Sequence, residues 1–234
     1  MRALLLAAGL GARLRPITLT TPKCLVSIQG KPLLDLWLES LFAAGIERVL
    51  INTHWLADVV REHVAQSPHA DRVDLVHEPE LLGTGGTILA NRSWLGEGPY
   101  LVAHADNLTN FDVAGFIAAH CHRPTGCSLT MLAFHTDVPQ SCGILELGPD
   151  RVVVGFHEKV KNPPGNLANA AVYICEPEIT QFIASLDKGV VDLSTEVMPA
   201  FLNRIYSVIT DGYHRDIGTI EALARAQREY DLAR

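Results

Sequence analysis

The chain predicts an α/β fold built on a doubly wound sheet, mixed but mainly parallel. Three observations predict it. The first half alternates short apolar runs with stripes of helical period, as parallel strands joined by right-handed crossovers do. The first apolar run, Ala3 to Ala7, passes directly into a glycine turn at Gly9 and Gly11. The second half strings several strands together before helices return.

Taken in order, Arg2–Ala7 predicts a strand. Pro32–Ala44 is apolar at 33, 34, 37, 38, 41 and 42, a helical stripe, with Pro32 suited to a first turn and Gly45 to a stop. Arg48–Asn52 is the second strand, Trp55–Val64 the second helix and Val73–His77 the third strand. Glu78–Gly86 is expected as a loop leading into a short helix to Asn91, and Tyr100–Ala105 as a fourth strand ending at Asp106. Phe111–His120 is again helical. Ser128–Phe134, Gly143–Leu147, Val152–His157 and Ala168–Ile174 predict strands, with Gly148-Pro-Asp150 a turn. Helices are expected at Pro177–Leu186 and Ser194–Leu202, a strand at Ile205–Thr210, and a terminal helix from Thr219 onward.

Bulk properties narrow the function. With 234 residues, 48% of them hydrophobic, the chain can form one well-cored domain. A net charge of −7 argues against a nonspecific nucleic-acid binder, so the cations near the N-terminus belong to a local site. The five cysteines are odd in number and form no C-x-x-C, as expected of free thiols in a reducing cytoplasm. The N-terminal apolar run is too short for a signal peptide or a bilayer span, and no other segment reads as transmembrane, so no membrane partner is expected.

The glycine turn carries the first chemistry. Glycine lets a backbone approach a ligand closely, and amides turned toward one point attract an anion. Arg13, Arg15 and Lys23 follow within a few residues, which points to phosphate. The two commonest phosphate loops do not fit. The dinucleotide fingerprint needs glycine where Leu14 stands, Pro16 blocks the long helix it requires, and no G-K-[ST] follows to make a P-loop.

The run Leu6-Ala-Ala-Gly-Leu-Gly-Ala-Arg-Leu-Arg-Pro16, followed by Thr18-Leu-Thr-Thr-Pro-Lys-Cys-Leu25, resembles the signature of the sugar-1-phosphate nucleotidylyltransferases. Ala12 departs from it, standing where the family has Thr or Ser. Further matches follow in order. Glu78-Pro-Glu-Leu-Leu-Gly-Thr-Gly-Gly86 is similar to the family's base-and-ribose loop, and Asp106 to its metal-ligating strand-end aspartate, with Ala105 in place of glycine. Phe156-His-Glu-Lys159 resembles F-x-E-K-P with Val160 for proline, and Asn169-Ala-Ala-Val-Tyr-Ile174 resembles N-A-G-[IV]-Y with Ala171 for glycine. Gly212-Tyr-His-Arg-Asp-Ile-Gly-Thr219 resembles G-x-W-x-D-[IV]-G-T with His214 for tryptophan.

The resemblance implies a Rossmann-like fold of the nucleotide-diphospho-sugar transferase type, as a single domain over residues 1–234. Residues 1–125 would mainly bind nucleotide and residues 126–234 mainly sugar phosphate. It implies nucleotide contacts from Leu6, Ala8, Gly9, Gly11, Ala12, Arg13, Lys23, Gly83, Thr84 and Gly85. Sugar-phosphate contacts would come from Asn107, Gly143, Glu158, Lys159 and Asn169. Asp106 and Asp216 would ligate Mg²⁺, with Arg13, Lys23 and Lys159 as the catalytic cations.

The implied partners are a nucleoside triphosphate and a sugar 1-phosphate, with neither nucleic acid nor membrane, in a monomer or small homo-oligomer. The expected reaction joins the two substrates into an NDP-sugar and releases pyrophosphate. GTP with a mannose- or heptose-type 1-phosphate is the first expectation. Uridylyl or thymidylyl transfer, cytidylyl transfer to a phosphate such as phosphocholine, and a non-catalytic nucleotide-sugar sensor are the alternatives. His120-Cys-His122 with Cys127 fits no standard zinc spacing. Ser194-Thr-Glu196 reads as a helix N-terminus with capping the expected role, while the family's acidic D-V-x-P segment, here Glu196-Val-Met-Pro199, implies a substrate contact as the alternative.

Overall fold

The computed structural model describes residues 1–230. In chain order its strands and α-helices are β1 (Arg2–Leu6), β2 (Ser27–Ile28), β3 (Lys31–Pro32), α1 (Leu33–Ala43), β4 (Arg48–Thr53), α2 (Ala57–Ala65), β5 (Val73–His77), α3 (Gly83–Ala90) and α4 (Arg92–Leu95). They continue with β6 (Tyr100–His104), β7 (Asn107–Thr109), α5 (Val113–Cys121), β8 (Leu129–His135), β9 (Gly143–Leu147), β10 (Val153–Glu158) and β11 (Leu167–Cys175). The last are α6 (Pro177–Ser185), β12 (Ile205–Ile209), β13 (His214–Asp216) and α7 (Ile220–Glu229). The part of the expected terminal helix that falls on residues 231–234 lies outside the described residues.

Two compact units interleave along the chain. The first comprises Met1–Leu81, Ala103–Val113 and Gly212 onward. Here β1, β4 and β5 pair in parallel, Arg2 opposite Arg48 and Val49 opposite Val73. The helical stripe of α1 is buried throughout: Leu33, Leu34, Trp37, Leu38, Leu41 and Phe42 all belong to the core, as do Leu4, Leu5 and Ile51. Each such aliphatic side chain contributes about 1.5–3 kcal/mol when fully buried. Gly45 ends the helix at φ 87°, with its amide on the Phe42 carbonyl and that of Ile46 on Leu41, the hydrogen-bond pattern of a Schellman stop. At the far end of the chain Thr219 caps α7, its hydroxyl accepting from the Ala222 amide at 3.1 Å.

The second unit comprises Leu82–Val102 and Ala114–Asp211. It is mixed: β9 pairs antiparallel with β10 and β11, β11 antiparallel with β8, and β8 in parallel with β12. Two expectations are corrected in this unit. Gly83, Thr84, Gly85 and Gly86 are the first turn of α3 rather than loop, because the Gly85 and Gly86 amides donate to the Val191 carbonyl, a partner far away in sequence. Ser194–Leu202 is not an α-helix. A π-turn over Leu193–Val197 gives way to a 3₁₀ turn over Met198–Phe201, since Pro199 has no N–H to continue an α-helical ladder. Asp192, not Ser194, is its N-cap, accepting from the Thr195 amide at 3.0 Å. Glu196 accepts from the Asp192 amide at 2.9 Å and pairs with Lys188, the capping role expected of it.

Candidate active site

In the first unit the chain leaves β1 through a tethered turn. The Ala7 amide donates to Asn52 Oδ1 at 2.7 Å, and Asn52 Nδ2 donates to the buried Glu78 carboxylate at 3.0 Å. The Ala105 amide donates to the Leu6 carbonyl, which aligns the turn with the end of β6. Ala8 is buried, while Gly9 and Leu10 are exposed. A Cβ at Gly9 would meet nothing within 4 Å, so the backbone there is open to a ligand. Gly11 is different. It has φ 61°, and a Cβ would lie 2.8 Å from Thr18 Cγ2. Thr18 is fully buried; its hydroxyl donates to the Gly11 carbonyl at 2.7 Å, and its backbone carbonyl accepts from Trp55 Nε1 at 2.8 Å. It is the buried support of the turn, and it stands inside the Thr18–Leu25 motif without having been assigned a role. Ala12 and Arg13 follow, exposed, in a short 3₁₀ turn.

Four charged side chains converge here. Lys23, 8% exposed, donates from Nζ to Asp106 Oδ2 and to Asp216 Oδ1, each at 2.7 Å. Arg13 reaches Asp216 Oδ2 at 3.3 Å and is itself 69% exposed. A second pair of strands makes this convergence. β7 and β13 run antiparallel with Asn107 opposite Asp216, which places Asp106 beside Asp216 although 109 residues of sequence separate them. Asn107 is buried and its carbonyl accepts from Trp37 Nε1 at 2.9 Å, so this strand is anchored on α1. Gly218 lies close below, and a Cβ there would come within 2.8 Å of Arg13 Nη2 and 2.9 Å of Asp216 Oδ1.

Electrostatics keep the carboxylate charged. Desolvation opposes ionisation of Asp106, but the Lys23 ammonium, His104 and hydrogen bonds together outweigh it and hold its pKa below the usual carboxylate value. Burial pushes the His214 imidazole down to about 4, against the pull of Asp216 and Asp106, so it is neutral at pH 7. Burial pushes the Cys24 thiol up to about 12, which leaves it unreactive beside Lys23.

In the second unit Gly83 adopts φ 74°, and a Cβ would lie 2.5 Å from the Val191 carbonyl oxygen. Cβ atoms at Gly85 and Gly86 would meet Val191 Cγ1 at 2.8 Å and Leu82 Cβ at 3.0 Å. The close approach these glycines permit is to the protein's own 189–191 segment. The Thr84 hydroxyl accepts from the Leu193 amide at 2.7 Å.

Glu158, opposite Gly143 in the β9–β10 ladder, ion-pairs with Lys159 Nζ at 3.0 Å, and Lys159 is 65% exposed. A Cβ at Gly143 would lie 2.6 Å from Glu158 Oε2, so glycine lets that carboxylate fold across the strand. Asn169 donates to the Tyr173 hydroxyl at 2.7 Å and accepts from the Ala171 amide at 2.9 Å, bracing a break in the β11–β8 register. Ala171 sits there at φ 55°, a left-handed conformation that costs an L-residue about 1–2 kcal/mol. Ala171→Gly is therefore expected to raise stability by about 0.5 kcal/mol, strain relief offset by the freer unfolded chain. Urea unfolding checks this, and a loss of stability would contradict the strain.

The histidine side chains of the His120–Cys127 stretch have protein partners. Its His120 bonds Thr130 at 2.7 Å and Glu176 at 3.3 Å, and among the described residues no cluster of three or more His, Cys, Asp or Glu could hold an ion. All five cysteines are free. No described helix is long and apolar enough to cross a membrane.

The family described as nucleotidyl transferase matches residues 2–232, and the chain belongs to it. It is 31% identical over 232 residues, 97% of this chain and 64% of the relative, to a mannose-1-phosphate guanylyltransferase of Mycobacterium tuberculosis. It is 29% identical over 236 residues, 97% of this chain and 65% of the relative, to a glucose-1-phosphate thymidylyltransferase of Streptomyces antibioticus. The chain thus spans less than two thirds of the length of these curated relatives. Among solved structures, that of HddC from Yersinia pseudotuberculosis, complexed with GMP-PN, superposes with a TM-score of 0.81 at 26% identity, covering 98% of this chain and 99% of that one.

Proposed function

We propose that this chain transfers a nucleotidyl group from a nucleoside triphosphate to a sugar 1-phosphate, releasing pyrophosphate and forming an NDP-sugar. The observation that carries the proposal is the convergence of Arg13, Lys23, Asp106 and Asp216, with no contact longer than 3.3 Å, in a member of this family. Nucleotide contacts would come mainly from residues 1–125 and acceptor contacts mainly from 126–234.

Each residue set has a chemical task. The open backbone at Gly9, with Gly11 and Ala12, would receive phosphate oxygens, helped by Leu6 and Ala8, which position the turn. Arg13 and Lys23 would offset the charge of the triphosphate and of departing pyrophosphate. By the family resemblance Gly83, Thr84 and Gly85 would lie at the base and ribose, with the Cβ sides of both glycines packed on Val191 and only their other faces left for a ligand. Lys159 would hold the acceptor phosphate, while Glu158, Gly143, Asn169 and Asn107 orient the sugar.

A sugar-phosphate oxygen then attacks the α-phosphorus in line with departing pyrophosphate. A phosphate oxygen is nucleophilic at neutral pH, so neither a general base nor a covalent enzyme intermediate is needed. Catalysis is positioning and charge neutralisation.

Asp106 and Asp216 would hold a divalent cation. Both already reach one shared cation, the Lys23 ammonium, at 2.7 Å, and oxygen-only ligation with phosphates completing the shell suits Mg²⁺. When bound there, Mg²⁺ supplies Lewis-acid charge neutralisation at the phosphates.

GTP with a mannose- or heptose-type 1-phosphate is favoured by the guanylyltransferase relative and by the GMP-PN complex of the HddC neighbour. A second reading, thymidylyl transfer to glucose 1-phosphate, is favoured by the Streptomyces relative. We place the activity in the cytoplasm, in a monomer or small homo-oligomer, without nucleic acid or membrane. A matrix of nucleoside triphosphates against sugar 1-phosphates, read by pyrophosphate release, tests the proposal. Release with GTP and a manno-configured phosphate is expected, release only with dTTP and glucose 1-phosphate would select the second reading, and no release with any pair would leave a nucleotide-sugar sensor.

A further inference from the structure

We infer that Lys23 gates the metal position: its ammonium occupies the place between Asp106 and Asp216, and a bound triphosphate opens that place by drawing the ammonium away. The inference rests on the reading of those two aspartates as metal-holding carboxylates.

Geometry carries it. The Lys23 Nζ lies 2.7 Å from an oxygen of each carboxylate, and its side chain is only 8% exposed. Asp106 and Asp216 are 37% and 49% exposed, so a cation from solvent can approach them. It would meet two carboxylates already bridged by a positive charge. Like charges this close repel strongly at a partly desolvated site. The lysine also withholds one oxygen of each aspartate.

Lysine suits a movable gate. Its charge is compact, and its flexible four-carbon stem can carry it to a new partner. A triphosphate bound at the Gly9–Arg13 turn would offer that partner, in the same unit. The ammonium would then pass to phosphate and free Asp106 Oδ2 and Asp216 Oδ1, the oxygens it holds, at the moment the phosphates also supply metal ligands, while Arg13 stays on the other oxygen of Asp216. Metal and nucleotide would therefore bind with positive coupling, and by linkage each would strengthen the other equally.

The test uses Mn²⁺ as a paramagnetic probe, titrated into the full chain with and without a GTP analogue that cannot be cleaved between the α- and β-phosphates. Free Mn²⁺ is read by electron paramagnetic resonance. Wild type is expected to bind Mn²⁺ alone weakly and at least ~10-fold more tightly with the analogue. Lys23→Gln should bind Mn²⁺ alone at least ~10-fold more tightly than wild type, with little further gain from the analogue. Adding Asp106→Asn to Lys23→Gln should abolish that gain. Equal Mn²⁺ affinity in wild type and Lys23→Gln, without nucleotide, would overturn the gate.

The variant removes the cation that Asp106 and Asp216 share and leaves only Arg13 on Asp216, so its melting temperature gives a second readout. Mn²⁺ should raise it in Lys23→Gln and leave the wild-type value nearly unchanged, and an equal rise in both again overturns the gate. Asp106→Asn and Asp216→Asn separate the two readings. If they leave Mn²⁺ binding with nucleotide intact, the carboxylate reading fails and the gate with it. If they abolish it while Lys23→Gln behaves as wild type, only the gate fails.

Discussion

Asp106→Asn and Asp216→Asn are each expected to lower Mg²⁺-dependent pyrophosphate release by about 10²–10³-fold while leaving the fold intact, the scale typical of removing one preorganised charge from a reacting centre. The reason is local. The two carboxylates share the Lys23 ammonium at 2.7 Å each, and the amide of asparagine keeps the shape but surrenders the charge. The fold should persist because β7 and β13 are held by backbone pairing and by the Trp37 contact to the Asn107 carbonyl, neither of which uses these side chains. Melting curves and steady-state rates measured on the same preparations check both halves. Near-normal turnover in both variants would sink the metal assignment.

Gly83→Ala should be the most damaging single-methyl change to stability, with a loss of about 2–3 kcal/mol. Two costs add. At φ 74° an alanine is strained, and its Cβ would lie 2.5 Å from the Val191 carbonyl oxygen, which cannot retreat because it accepts the Gly85 and Gly86 amides. Reduced freedom of the unfolded chain returns about 0.4–1 kcal/mol. For a chain of this size the net loss corresponds to a melting temperature lower by about 5–10 °C. Gly9→Ala is the control. No atom lies within 4 Å of its Cβ position, so its stability should match wild type. If Gly83→Ala also matched wild type, the packing account of the α3 N-terminus would fail.

Much of the fold was legible. Val73–His77 and Gly143–Leu147 form strands over the predicted residues, and the stripe of α1 is buried at every predicted position, because periodic apolar patterns report which face meets the core. Two segments were not legible. Gly83–Gly86 reads as loop by composition, yet the Val191 carbonyl caps it into a helix. Ser194–Leu202 reads as an amphipathic helix, yet Pro199 and the Asp192 cap divide it. In the first, the partner that decides the conformation lies outside any local window; in the second, Pro199 and Asp192 are local, and the apolar pattern masked them.

The candidate site divides in the same way. By itself the sequence pointed to a phosphate site at the Gly9–Arg13 turn and Lys23 from residue type and spacing, while the two aspartates and the Glu158–Lys159 pair were singled out only through the family resemblance. Only the tertiary structure decided how they are used. It set Asp216 opposite Asn107, drew both aspartates onto a lysine that had been expected only to meet phosphate, put Thr18 beneath Gly11, and turned the glycines of α3 toward Val191. The physical reason is that ion pairs and close packing depend on distances between residues far apart in the chain. Those distances are set by strand pairing and core burial and are not written in any one stretch of sequence.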